Sequence, residues 1–103
     1  YPLSLHDALP IYFGLRLRGD SMSPRLNDGD VVIVRQQDAV ENNELAVVMV
    51  GDSATCKVVK KNKNGIALIP FNPDYSPMLY SKSDVEGMPI TILGKVIEAR
   101  IRF

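Results

Sequence analysis

Cysteine and histidine are scarce in this sequence. Because they commonly serve as nucleophiles, metal ligands and redox centres, their scarcity excludes several classes of protein. The 103 residues include one cysteine, one histidine and no tryptophan. A single cysteine cannot form an internal disulfide, and no Cys/His cluster has the spacing of metal ligands. The seven glycines are scattered at turns and do not form a phosphate-binding loop. We therefore expect neither a metal nor a cofactor.

Net charge and long apolar runs are also absent. Twelve basic and twelve acidic residues balance, which removes the general electrostatic attraction that nucleic-acid binders use. Arg16, Arg18, Arg25 and residues 60–63 are interpreted as solvated strand and turn exteriors, not as a DNA-binding patch. No run approaches the roughly 20 apolar residues of a membrane span, and no signal-peptide pattern is visible. The sequence predicts a cytoplasmic domain without a membrane partner.

The sequence does contain a series of short β-like segments separated by turn signals. Phe13, Leu15 and Leu17 alternate with Gly or Arg, the period-two pattern of a half-buried strand. Further strands are predicted at residues 31–34, 45–50, 54–59, 66–69 and 90–101. Residues 21–27 have room for one helical turn, residues 60–64 are predicted to form a polar turn, and three prolines make residues 70–77 irregular.

These segments predict a mainly β fold, either a sandwich or a partly open barrel. The predicted domain covers residues 12–103. Residues 1–11 sustain neither helix nor strand periodicity, and they are interpreted as a flexible leader or an expression remnant.

Elimination narrows the chemistry that this domain can perform. A Ser-His-Asp triad needs a histidine in the core, and the single histidine, His6, lies in the leader. Cys56 therefore has no core histidine to activate it. Asp20, Asp28 and Asp30 all lie in turn contexts that already explain them. A hydroxyl activated by a lysine is the arrangement that remains.

A lysine that acts as a base must be neutral, although its ordinary pKa is about 10.4. Burial favours the neutral form, so a base lysine is expected among apolar residues. Lys57, between Cys56 and Val58 in a predicted strand, fits this requirement better than the other lysines. Ser21 follows a strand and a turn, which presents its hydroxyl at a sheet edge. Local chemistry alone leaves two alternatives open, a half-exposed strand lysine and a helix N-cap serine.

Four segments together resemble the LexA-like peptidases, a family that includes LexA, phage repressors and the UmuD proteins. Gly-Asp-Ser-Met at residues 19–22 is followed by Pro24 and Asp-Gly-Asp at residues 28–30, as in the family's nucleophile segment. Residues 54–60 (ATCKVVK) are similar to its lysine strand, 68–75 to its Asn-Pro loop and 92–99 to its closing strand. The resemblance covers about residues 15–101. It implies that Ser21 is the nucleophile and Lys57, 36 positions later, the general base.

The resemblance also implies that the backbone amide of Met22, with that of Ser21, stabilises the oxyanion, while the Met22 side chain packs near the site. It further implies a repressor C-terminal domain that cleaves its own linker in response to a RecA filament and forms a homodimer through residues 95–103. DNA contact would come through an N-terminal domain that this sequence does not include. The family's Ala-Gly or Cys-Gly scissile bond does not occur here, so we expect a catalytic fragment. Two alternatives are a catalytically idle dimerisation module and a signal-peptidase-like protease.

Overall fold

Seven strands and one short helix make up most of residues 10–100, the part of the chain that the computed structural model describes. The predicted leader therefore lies outside the described residues up to residue 9, as do residues 101–103. The elements in chain order are β1 (Tyr12–Arg16), β2 (Val31–Gln36), β3 (Glu44–Val50), β4 (Ser53–Asn62), β5 (Gly65–Ile69), β6 (Met78–Ser81), α1 (Lys82–Gly87) and β7 (Ile90–Arg100).

All seven strands form one sheet with the order β1-β2-β7-β3-β4-β5-β6, and every neighbouring pair is antiparallel. The sheet does not close, since β1 and β6 are its two edges. The prediction of a mainly β fold is confirmed, and the open sheet agrees with the partly open alternative.

Two hairpins bring the lysine strand β4 to its place in the sheet. Gly51 has a positive φ of 63°, which suits the tight turn that joins β3 to β4, and Val50 pairs with Ser53 across it. The next turn is shorter than predicted, because β4 continues to Asn62 and β5 begins at Gly65. Lys60 and Lys61 therefore belong to β4 and are not part of the turn.

The core consists of two clusters of buried residues. One contains Met22, Leu26, Val32, Val34, Val47 and Cys56, and the other contains Val40, Ala46, Val48, Val59 and Leu68. Consecutive residues of β3 fall into different clusters, and residues 46–48 are fully buried. A strand that is covered on both faces has a continuous run of apolar residues and no alternation of apolar with polar residues. This explains the sequence of β3.

Strand β6 and helix α1 follow the irregular residues 70–77 and were not predicted. Helix α1 begins with a capping box, in which the Ser81 side chain accepts from the Asp84 amide and the Asp84 side chain accepts from the Ser81 amide. The helix has six residues and buries none of them. No helix within residues 10–100 has the length and apolarity needed to cross a bilayer.

Candidate active site

Ser21 lies in a tight turn between β1 and β2, called here the Ser21 turn (residues 19–24). The amide of Gly19 donates to Asp28 Oδ1 at 2.8 Å, and the amide of Ser23 donates to the Asp20 carbonyl at 3.0 Å. A hydrogen-bonded turn follows, closed by the Leu26 amide and the carbonyl of residue 22, but residues 21–27 contain no helical segment, so the predicted helical turn does not form. No helix begins at Ser21, so this serine is not the N-cap that local chemistry left open.

The Met22 side chain anchors the Ser21 turn to the core. It is 4% exposed and packs in the same cluster as Leu26, Val32 and Val34. Its sulfur also accepts a hydrogen bond from the Phe71 amide at 3.4 Å. Met22 therefore fixes the turn by packing, as the sequence analysis expects.

Lys57 lies in β4 and points its amine at the Ser21 turn. The residue is only 8% exposed. Its Nζ lies 2.9 Å from Ser21 Oγ, 2.8 Å from Thr55 Oγ1 and 3.1 Å from the Cys56 carbonyl oxygen. The fold thus brings together the two side chains that the sequence singled out.

Burial controls the charge of this amine. Desolvation lowers the pKa of Lys57 below its ordinary value, because the ammonium form is disfavoured away from water. A Cys56 thiolate would oppose that shift, but burial raises the pKa of the Cys56 thiol to about 11, so the thiol is neutral at physiological pH. Within residues 10–100, no carboxylate forms an ion pair with Lys57.

The three partners of the amine can satisfy both protonation states of Lys57. A neutral amine has two N–H donors and one lone pair, whereas an ammonium has three donors. The Cys56 carbonyl can only accept, while the Thr55 hydroxyl can also accept, so these two can take both donors. In the ammonium form the third donor goes to Ser21 Oγ, whereas in the neutral form the Ser21 hydroxyl would donate to the lone pair.

Ser21 and Lys57 open onto a cleft of about 210 Å³. Leu17, Gly19 and Thr55 are among its other lining residues. Among the described residues, none accepts a hydrogen bond from the backbone amide of Ser21 or Met22. Two free N–H groups beside a nucleophile are the usual means of binding an oxyanion.

Sequence reasoning missed three residues of the site. Thr55 is two positions before the lysine on one strand, a spacing that places both side chains on the same face, and this signal was available. Asn72 and Tyr75 both contact Asp20, the first through the Asp20 backbone carbonyl at 2.9 Å and the second through the Asp20 carboxylate. Their segment was noted only as an Asn-Pro loop.

Two of the arginines considered for DNA contact are already engaged within the fold. Arg16 donates to the Gly29 carbonyl at 2.8 Å, and the Arg25 guanidinium lies 4.4 Å from the centre of the Phe71 ring. Both residues are exposed, which agrees with their interpretation as strand and turn exteriors.

Comparison with known proteins identifies the family. The model of the Peptidase S24-like family matches residues 4–97. The LexA repressor of Bifidobacterium adolescentis is 38% identical over 85 residues, which cover 82% of this chain and 33% of the relative. That of Thermobifida fusca is 38% identical, with 82% and 34% covered. The LexA repressor of Leptospira interrogans is 40% identical over 80 residues, which cover 77% of this chain and 39% of the relative.

The chain thus spans about a third of the length of the curated relatives that it matches. The family match extends over most of the chain, and the same region contains the Ser21 turn and the lysine strand. This protein belongs to the Peptidase S24-like family, as a LexA-like repressor peptidase domain.

Proposed function

We propose that this chain is the self-cleavage and dimerisation domain of a LexA-like transcriptional repressor, with Ser21 as nucleophile and Lys57 as general base. The observation that carries the proposal is the 2.9 Å separation of Lys57 Nζ from Ser21 Oγ. Burying an amine that has no acidic partner costs free energy. A role as a neutral base accounts for that cost.

The reaction is acyl transfer. The neutral amine of Lys57 accepts the proton of the Ser21 hydroxyl while Oγ attacks the carbonyl carbon of the scissile peptide bond. The N–H groups of Ser21 and Met22 stabilise the negative charge that develops on the carbonyl oxygen. The protonated lysine then donates to the leaving nitrogen, and it acts as base again when water hydrolyses the acyl-enzyme.

This mechanism predicts how the rate depends on pH. Only the unprotonated lysine is active, so the rate rises as the pH rises through the pKa of Lys57. Because burial lowers that pKa, the plateau is reached at a lower pH than an ordinary solvated lysine would allow.

In the intact repressor the substrate is the protein's own linker, cut between small residues when a RecA filament signals DNA damage. Residues 12–103 are assigned to the peptidase domain and residues 1–11 to a leader. DNA is bound by a separate N-terminal domain. The homodimer forms through residues 95–103, and the 48% exposure of Ile97 on β7 supports a partner at this strand.

Fluorophosphonates phosphonylate activated serines, and labelling of this chain tests the proposal directly. Mass spectrometry is expected to find the label on Ser21 and none in Ser21→Ala. Lys57→Ala is expected to slow labelling by roughly 10²–10⁴-fold, the usual contribution of a general base. Lys60→Ala is the matched control, because Lys60 is an exposed lysine of the same strand.

Self-cleavage of the full-length repressor at alkaline pH is the second measurement, with the same variants. If Lys57→Ala reacts as fast as Lys60→Ala, the assigned base is wrong. If the wild-type protein neither labels nor cleaves, yet sediments as a dimer, the domain is the idle dimerisation module.

A further inference from the structure

Two of the residues after β5, Asn72 and Tyr75, hydrogen-bond to the Ser21 turn. The backbone amide of Asn72 donates to the Ser21 carbonyl at 3.0 Å, and its side-chain Nδ2 donates to the Asp20 carbonyl at 2.9 Å. The Tyr75 hydroxyl hydrogen-bonds to the Asp20 carboxylate. Asn72 therefore binds two consecutive backbone carbonyls of the turn.

These two carbonyls belong to the peptide units that contain the proposed oxyanion donors. The carbonyl of Asp20 shares a peptide plane with the N–H of Ser21, and the carbonyl of Ser21 shares one with the N–H of Met22. In a planar trans peptide the C=O and N–H bonds point in opposite directions. Two carbonyls directed at Asn72 thus direct both N–H groups away from it. Ser21 and Met22 line the cleft, whereas Asn72 does not.

The Asn72 side chain is itself fixed in the orientation that this role requires. Its Oδ1 accepts from the Asp74 amide at 2.9 Å, and its backbone carbonyl accepts from the Tyr75 amide at 3.1 Å. With Oδ1 committed to Asp74, Nδ2 is the atom that faces the Asp20 carbonyl. The local turn therefore sets the direction of the donor before any substrate binds.

The same segment is tied to the strand that carries the base. Val58, which follows Lys57, pairs with Ile69, and Asn72 lies three residues beyond Ile69. The amine and the donor that holds the turn are thus connected through one pair of hydrogen-bonded strands. Their relative position is set by sheet register.

We infer that Asn72 is a positioning residue that orients the Asp20–Ser21 and Ser21–Met22 peptide units, so that both N–H groups face the cleft as an oxyanion hole. This inference rests on the proposed function of Ser21. Asn72 touches neither the scissile bond nor the reacting hydroxyl, and it acts only through the backbone of the turn.

Asn72→Ala removes the side-chain donor and leaves the backbone donor in place. The plateau rate of Ser21 phosphonylation is expected to fall by roughly 10–100-fold, an effect no larger than that of removing one oxyanion donor. The pH at which labelling reaches half of its plateau rate should stay at the wild-type value. Asn62→Ala is the matched control, because Asn62 makes the same kind of side-chain turn, to the Asn64 amide at 2.7 Å, and does not line the cleft. Asn72→Asp keeps the Oδ1 acceptor and loses the donor, and is expected to behave like Asn72→Ala in plateau rate.

Amide hydrogen exchange provides a readout that needs no activity. The Ser23 amide donates to the Asp20 carbonyl. In Asn72→Ala this amide is expected to exchange roughly 5–10-fold faster, as the loss of one hydrogen bond from the turn predicts. In Asn62→Ala its exchange rate should be unchanged. Wild-type exchange and wild-type labelling in Asn72→Ala would overturn the inference. So would faster exchange with unchanged labelling, because the hole would then not depend on Asn72. If the wild-type chain is never labelled at Ser21, the proposed function is wrong. The hydrogen-exchange rate of the Ser23 amide then tests separately whether Asn72 holds the turn.

Discussion

Truncation of Met22 tests whether core packing holds the nucleophile in place. The side chain is 4% exposed and packs against Leu26, Val32 and Val34. Met-to-Ala changes in cores typically cost about 2–5 kcal/mol. Met22 borders the open cleft beside Ser21, where the surroundings can relax and water can enter, so the low end of that range, about 2 kcal/mol, applies. The lost sulfur acceptor of the Phe71 amide adds about 1 kcal/mol, which gives a total of about 3 kcal/mol.

Urea unfolding followed by circular dichroism measures this loss, with an unchanged denaturant slope as evidence that the folded state is retained. A loss of about 3 kcal/mol corresponds to a fall in melting temperature of about 12–20 °C for a domain of this size. Met22→Leu is the control, since it keeps the apolar volume and is expected to cost less than about 1.5 kcal/mol. A loss below about 1 kcal/mol in Met22→Ala would refute the view that this side chain anchors the Ser21 turn.

Three further predictions concern sheet packing, a surface phenol and the lysine environment. Gly94→Ala is expected to lower the free energy of unfolding in urea by about 3 kcal/mol, because the new methyl would overlap the backbone carbonyl of Arg35 on β2. Gly87→Ala is the control, because its methyl meets open space and should change stability by less than about 1 kcal/mol. The hydrogen bond to Asp20 raises the pKa of the Tyr75 phenol. This hydrogen bond stabilises the fold at neutral pH, and the stabilisation is lost as the pH rises through that pKa, because the phenolate has no proton to donate. An NMR titration should show Asp20→Asn lowering the Tyr75 midpoint. Thr55→Val removes one hydrogen-bond acceptor of the Lys57 amine. This loss destabilises the ammonium form more than the neutral form, so the pKa of Lys57 should fall. The pH at which Ser21 labelling is half-maximal should therefore move lower, and the plateau rate of labelling should decrease.

The sequence predicted those parts of the fold whose burial leaves a local pattern. Alternation in β1, and the turn signals between the apolar runs, correctly predicted six of the seven strands that the structure describes, β1 to β5 and β7. Strand β6 left no such pattern, because it is a four-residue edge strand whose Leu79 is 76% exposed. Helix α1 has a capping box but is too short to show a helical period.

The residues of the site also differ in how far the sequence alone predicts them. The burial of Lys57 was predictable because its neighbours within one strand are apolar, and the Ser21 segment was recognisable by its motif. The contacts of Asn72 and Tyr75 with Asp20 span 52 and 55 positions. No local periodicity encodes a contact of that kind, since it depends on how β4, β5 and the turn are brought together in the folded sheet.

The proposed dyad therefore combines two parts that are held by different physical means. Lys57 lies on an interior strand, where burial lowers its pKa, and its amine hydrogen-bonds to Thr55 and to the Cys56 carbonyl. The proposed nucleophile lies on a turn held by the Met22 side chain and by Asn72. Under the proposed mechanism, changes beside the amine should therefore shift the pH at which Ser21 becomes reactive, whereas changes in the supports of the turn should lower the plateau rate and leave that pH unchanged.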